Sequence, residues 1–125
     1  MSDDTVQQVY MRVTQRIQSS QKQLSNIDAQ VNANQREARL ASLTKREIEG
    51  LSDSVPLYRS MGKMFVQESK QSVMDDINKT TKDSEMLVDA LEKKKKFVKR
   101  ELDEATANLK DIIKATTQQQ AASAK

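Results

Sequence analysis

The chain has no cysteine and no histidine, which excludes disulfides, thiolate chemistry and the usual zinc ligands. An absence of cysteine fits a reducing compartment. Aromatics are 3% of the 125 residues, and there are only two glycines and one proline. Such a mix cannot fill a compact globular core. With 31% charged residues and many good helix formers it favours extended helices over disorder. No signal peptide or membrane-spanning run is legible, and no membrane partner is expected. The net charge is a mild +3, from 21 Lys and Arg against 18 Asp and Glu. Acids are interleaved almost everywhere, whereas a nucleic-acid binder gathers its basic residues on one face.

Catalysis finds equally little support. Carboxylates are plentiful but follow helix-surface spacing, and neither a base nor a nucleophile converges with them. There is no glycine-rich phosphate loop. Asp75-Asp76 reads as charge at a helix start rather than as a metal site. The expectation is a protein that is not an enzyme and needs no cofactor or metal.

What is present is periodicity. After a short polar lead, in which Asp4 with Gln7 reads as a helix start, residues recur at alternating spacings of four and three. They are Val6, Tyr10, Val13, Ile17, Ser20, Leu24, Ile27, Val31, Asn34, Ala38 and Ala41, all apolar except Ser20 and Asn34. A period of 3.5 held that long marks a coiled-coil seam, on a helix roughly 55 Å long. A second seam reads Met74, Ile77, Thr81, Ser84, Val88, Leu91, Lys95, Val98, Leu102, Ala105, Leu109 and Ile112. Between them, Thr44-Lys45-Arg46-Glu47 resembles a capping box that opens a separate short helix. Ser69 reads as the cap of the last helix.

The middle of the chain breaks the helical pattern. Pro56 to Glu68 holds the only proline, one of the two glycines, Tyr58, Phe65 and two of the six methionines. Gly62-Lys63 suits a two-residue turn, since glycine accepts the positive φ of primed hairpin turns. Folded there, Met61 faces Met64, Ser60 faces Phe65 and Arg59 faces Val66. An isolated hairpin is marginal in water, so strands from other chains are expected to complete it.

The predicted segments are therefore a helix over 5–43, a short helix and turn over 44–54, a β-hairpin over 55–68, a second helix over 69–116 and a flexible tail over 117–125. All belong to one domain of mainly α class, a long antiparallel two-helix coiled coil joined through the short helix and the hairpin. Pairing Ala41 with Met74 sets Ala38 against Ile77, Asn34 against Thr81, Leu24 against Leu91, Ser20 against Lys95 and Val6 against Leu109. Both polar seam positions of the first helix then meet polar positions of the second, as polar residues that fix register do. At the end far from the hairpin, Val6, Val9, Tyr10, Met11, Leu109, Ile112 and Ile113 gather. They read either as seam residues near fraying ends or as an adaptable apolar tip for low-affinity contacts. The run Lys93 to Arg100 has the look of an import or nucleic-acid patch. Its lysines point all round a helix between Glu92 and Glu101, however, and a solvated face is the expectation.

With helix, hairpin and returning helix laid out, Leu43-Thr44, Glu47-Ile48, Leu51, Tyr58, Gly62, Met64-Phe65 and Ser69-Lys70 resemble the central region of beta-class prefoldin subunits. The spacing Tyr-x-x-x-Gly-x-Met-Phe followed by Ser-Lys is most similar to the eukaryotic subunit-1 branch of that family. The resemblance implies a heterohexamer of alpha- and beta-class prefoldin subunits whose hairpins close an intersubunit β-barrel. It implies ATP-independent capture of unfolded client proteins such as actin and tubulin at coiled-coil tips, and delivery to the cytosolic chaperonin. It places the protein in the cytoplasm, with a nuclear pool left open. The assembly role falls on Tyr58, Met61, Gly62, Met64, Phe65 and Val66. The alternative from another class is a structural coiled-coil adaptor or tether, which would not need the hairpin. Nucleic-acid binding through the lysine run is a third reading, discounted by the flanking acids.

Overall fold

A computed structural model describes residues 3–123. Two long helices flank a central antiparallel hairpin: α1 is Asp3–Glu49, β1 Leu57–Met61, β2 Met64–Glu68 and α2 Lys70–Ser123. Among the described residues no helix is long and apolar enough to cross a membrane.

The seams explain the helices. Every position of the second seam, Met74 to Ile112, is buried or half-buried. In the first seam only Tyr10 is exposed, at 45%. Asp4 lies inside α1, one residue past its first described position, rather than at its cap. The expected break at Thr44 does not occur. Thr44 Oγ1 donates to Leu40 O at 2.9 Å, so its hydroxyl bonds the preceding turn instead of capping a new one, as Thr does inside helices. The four-three spacing simply continues from Ala41 to half-buried Lys45 and buried Ile48. The helix ends after Glu49, where Gly50 N donates to Arg46 O and Leu51 N to Ile48 O. A turn follows in place of the expected short helix, with Val55 N donating to Ser52 O. At the far end α2 runs through Ser123, so helix continues past the expected end at 116; residues 124 and 125 lie outside the described residues.

The hairpin has the predicted register: Leu57 pairs with Glu68, Tyr58 with Gln67, Arg59 with Val66, Ser60 with Phe65 and Met61 with Met64. Gly62 has φ +62 and Lys63 does not have positive φ, the combination of a type II′ turn with glycine first. Any other L-residue at Gly62 would cost about 1–2 kcal/mol in that conformation. Ser69 caps α2 as expected, its Oγ accepting from Ser72 N at 3.1 Å.

The described chain falls into two compact units. In the first, the part of α1 up to Ala29 packs on α2 from Glu92 onward. Ser20, Ile27, Val98 and Ala105 are its buried residues. Two ion pairs cross it, Arg16 Nη2 to Glu101 Oε1 at 3.9 Å and Lys95 Nζ to Asp28 Oδ1 at 2.9 Å. Lys95 occupies a seam position, so its stem packs while the ammonium reaches across the interface. In the second unit, Gln30–Leu91, the buried residues are Val31, Ile48, Ser84 and Leu91, and this unit carries the hairpin.

The seam register departs from the expectation by one heptad. Ala38 shares a groove with Ser84 and Val88, not Ile77. Val6 shares one with Ile112 and Thr116, not Leu109. Lys45 is grouped with Met74 and Asn78. Two physical reasons account for it. Lys45 and Ile48 extend the seam by two layers, which moves the partner of every earlier layer along α2. The polar seam residues also do not need each other, because Asn34 Nδ2 donates to Gln30 O at 2.8 Å and Thr81 Oγ1 to Ile77 O at 3.0 Å, each within its own helix.

Because the chain has no native cysteine, register is testable by paired substitutions. Ala38→Cys with Ser84→Cys should oxidise to an intrachain disulfide, and Ala38→Cys with Ile77→Cys should not; the reverse outcome would restore the sequence-based pairing. A second expectation concerns Lys95. The hydrogen bond and charge of Asp28 hold its pKa above the ordinary 10.5. A cation raised in this way stabilises fully below its unfolded pKa and stops doing so as pH rises through the folded value. In urea unfolding, the stability of the natural chain relative to Lys95→Met should thus be equal at about pH 7 and pH 9 and fall at about pH 11. A difference that stays flat at high pH would show that the ammonium is not what joins the helices there.

Candidate functional site

Alternation along the two strands gives the hairpin two faces. One presents Leu57, Arg59, Met61, Met64, Val66 and Glu68; the other presents Tyr58, Ser60, Phe65 and Gln67. Both carry large apolar side chains in the open. Phe65 is 73% exposed, Met64 68%, Tyr58 61% and Met61 59%, with Val66 at 39%. The sheet has only these two strands, so the outer edge of each also presents unpaired backbone groups. Every residue expected to carry assembly is therefore at the surface of the chain, with Gly62 at the turn that sets their register.

One side of the hairpin is tied down. Arg59 Nε donates to Glu68 Oε1 at 2.8 Å, and Arg59 Nη2 pairs with Asp76 on α2. The charges of Glu68 and then Asp76 raise the Arg59 pKa, against some desolvation. Glu68 Oε2 is buried and accepts no hydrogen bond from the described residues. Lys70 Nζ donates to Leu51 O at 3.0 Å and to Asp53 Oδ1 at 3.3 Å, fixing the connection before β1 to the start of α2. Sequence reading passed over the Arg59–Glu68–Asp76 group. The hairpin register alone makes Arg59 and Glu68 diagonal neighbours on one face, so half of it was available.

The helix ends in the first unit hold a second feature. A cavity of about 380 Å³ lies between Val6 and Val9 of α1 and Asp111, Ile112, Ala115 and Thr116 of α2. Another, of about 260 Å³, lies among Val6, Tyr10, Ile112, Ile113 and Thr117. Five of the seven residues expected at this tip line these cavities. Met11 is exposed at 60% and Leu109 is half-buried in the seam, and neither lines them. Ala115 and Thr116 were missed because the seam was read as stopping at Ile112. Among the described residues there is no group of three or more Asp or Glu placed to hold a metal ion.

Comparison with known proteins gives a consistent result. A family model described as Prefoldin subunit matches residues 11–116. Prefoldin subunit 1 of Bos taurus is 26% identical over 113 residues, covering 90% of this chain and 93% of the relative. A probable prefoldin subunit 1 of Caenorhabditis briggsae is 24% identical over 115 residues, covering 92% and 98%. Among solved structures, the crystal structure of the prefoldin beta subunit from Thermococcus strain KS-1 superposes with a TM-score of 0.73. It is 25% identical and covers 82% of this chain and 90% of its own.

The Arg59 group should hold the hairpin in place without being needed for the helices. In the full chain, Arg59→Met is expected to speed amide hydrogen exchange of β1 and β2 roughly two- to fivefold, the range of an exposed ion pair or two. Exchange along α1 should stay unchanged. Equal rates in the strands would mean that backbone pairing alone orients them.

Proposed function

The chain belongs to the prefoldin subunit family, and on that premise we propose that it is a beta-class subunit of a heterohexameric, ATP-independent co-chaperone. The observation that carries this reading is the hairpin, with its register fixed and both faces apolar and exposed. Joining its edges to strands of other alpha- and beta-class prefoldin subunits satisfies the unpaired backbone groups and buries Met61, Met64, Phe65 and Val66. Burying a side chain such as Phe65 is worth about 2 kcal/mol. Glu68 Oε2, buried without a donor among the described residues, suits a donor from a neighbour.

In this reading the helix ends hold unfolded client proteins, actin and tubulin among them, and pass them to the cytosolic chaperonin. The apolar grooves around Val6, Val9 and Ile112 support it, since shallow apolar contacts repeated over several subunits give avidity while each stays easily broken. The protein works in the cytoplasm, a compartment that its lack of cysteine fits.

Native mass spectrometry of the chain mixed with alpha- and beta-class partners tests the assembly. A heterohexamer is expected, and a homodimer or homotetramer would instead favour a coiled-coil tether. Met64→Asp or Phe65→Asp should abolish entry into the hexamer while the helical circular dichroism persists. Val9→Ser with Ile113→Ser should leave the hexamer intact and weaken its suppression of aggregation of unfolded actin severalfold. Normal hexamers from the hairpin variants would defeat the assembly account, and undiminished client protection by the tip variant would defeat the tip account.

A further inference from the structure

We propose that the face of α2 centred on Phe97 binds an acidic polypeptide segment carrying an apolar side chain. Phe97 lies in the first compact unit and is 61% exposed. Lys93, Lys94 and Arg100 stand four and three residues before it and three after it, the spacings that share a helix face. An aromatic ring in the open is thus ringed by cations.

Those cations are free in the structure. From Lys93 to Arg100 there are six basic residues and no acid. Only Lys95 finds a partner among the described residues, Asp28. Among the described residues, Lys93, Lys94, Lys96, Lys99 and Arg100 have no ion-pair or side-chain hydrogen-bond partner, and all five are exposed. Of the two flanking acids, one is directed away from the run and the other acts on Lys95 within it. Glu101 is half-buried and pairs with Arg16 of α1, and Glu92 adds to the charge around Lys95. Like charges at helix spacings of three and four destabilise a helix by about 0.2–0.5 kcal/mol per pair, and an anionic partner removes that repulsion.

The ring and the patch length decide which anion. Eight residues of helix span about 12 Å, matched by roughly four residues of extended peptide. A nucleic acid gains affinity from many phosphates tracked along a strand. Here exposed Asp103 and Glu104 close the patch on one side. A short acidic segment avoids them, and its apolar side chain covers Phe97 at the centre, where desolvated aromatic anchors contribute most.

Fluorescence anisotropy on the full chain tests this with a labelled peptide of about ten residues, acidic except for a central Leu-Phe pair. Saturable binding is expected, weakened about tenfold or more by Phe97→Ala and by Lys93→Glu with Lys94→Glu. Charge-matched Lys110→Glu with Lys114→Glu, further along α2, should change it less than about twofold. All these positions are exposed, and circular dichroism should show unchanged helix in each variant. No binding, or equal losses from the two charge reversals, would overturn the proposal. So would displacement of the peptide by a thymidine oligonucleotide together with insensitivity to Phe97→Ala, which would assign the face to nucleic acid.

Discussion

A sheet of two strands leaves half of its backbone hydrogen-bonding groups pointing outward, and among the described residues no third strand pairs with them. The hairpin's geometry is nevertheless well defined. Gly62 takes the one left-handed conformation required, Ser69 caps the helix that follows, and Arg59 ties the strands to Asp76. These features act on the turn, the base and one face. They leave the edges, Phe65 and Met64 open to other molecules. A surface both ordered and unsatisfied loses little conformational entropy when a partner arrives, which is the condition under which apolar burial converts into affinity.

Much of this was legible because the governing rules are local. Alternating steps of four and three named every buried position of α2 from Met74 to Ile112, since the helical period acts residue by residue. Gly62-Lys63 between two apolar runs fixed the strand pairing, because a two-residue loop permits one register only. Tyr10 is the exception in the first seam. It stays 45% exposed while lining a groove with Ile113 and Thr117.

What was not legible depended on choices between equally local alternatives. Thr44 followed by Glu47 satisfies the pattern of a capping box, yet the same hydroxyl can bond Leu40 O within a continuing helix. Packing of Lys45 and Ile48 decides between them, and no window around Thr44 contains that information. The shifted register follows in part from this continuation of α1. With α1 ended early, matching Ser20 and Asn34 to polar partners looked like a constraint. Once Asn34 bonds Gln30 O, that constraint disappears. Charge held the better signal, because a lysine in a seam needs an acid within reach, and Asp28 lies across from Lys95 only in the shifted register.

The seam itself explains why the hairpin must carry so much. Small Ser20, Ser84 and Ala105 share its buried layers with Ile27, Val31, Ile48, Leu91 and Val98. Small residues let helices approach but remove little apolar area from water, and among the described residues no large side chain is fully buried. Two helices joined in this way gain less from each other than a compact domain gains from its core. The two most exposed large apolar side chains, Phe65 at 73% and Met64 at 68%, are instead on the hairpin. The apolar surface of the hairpin is thus left for other prefoldin subunits to cover.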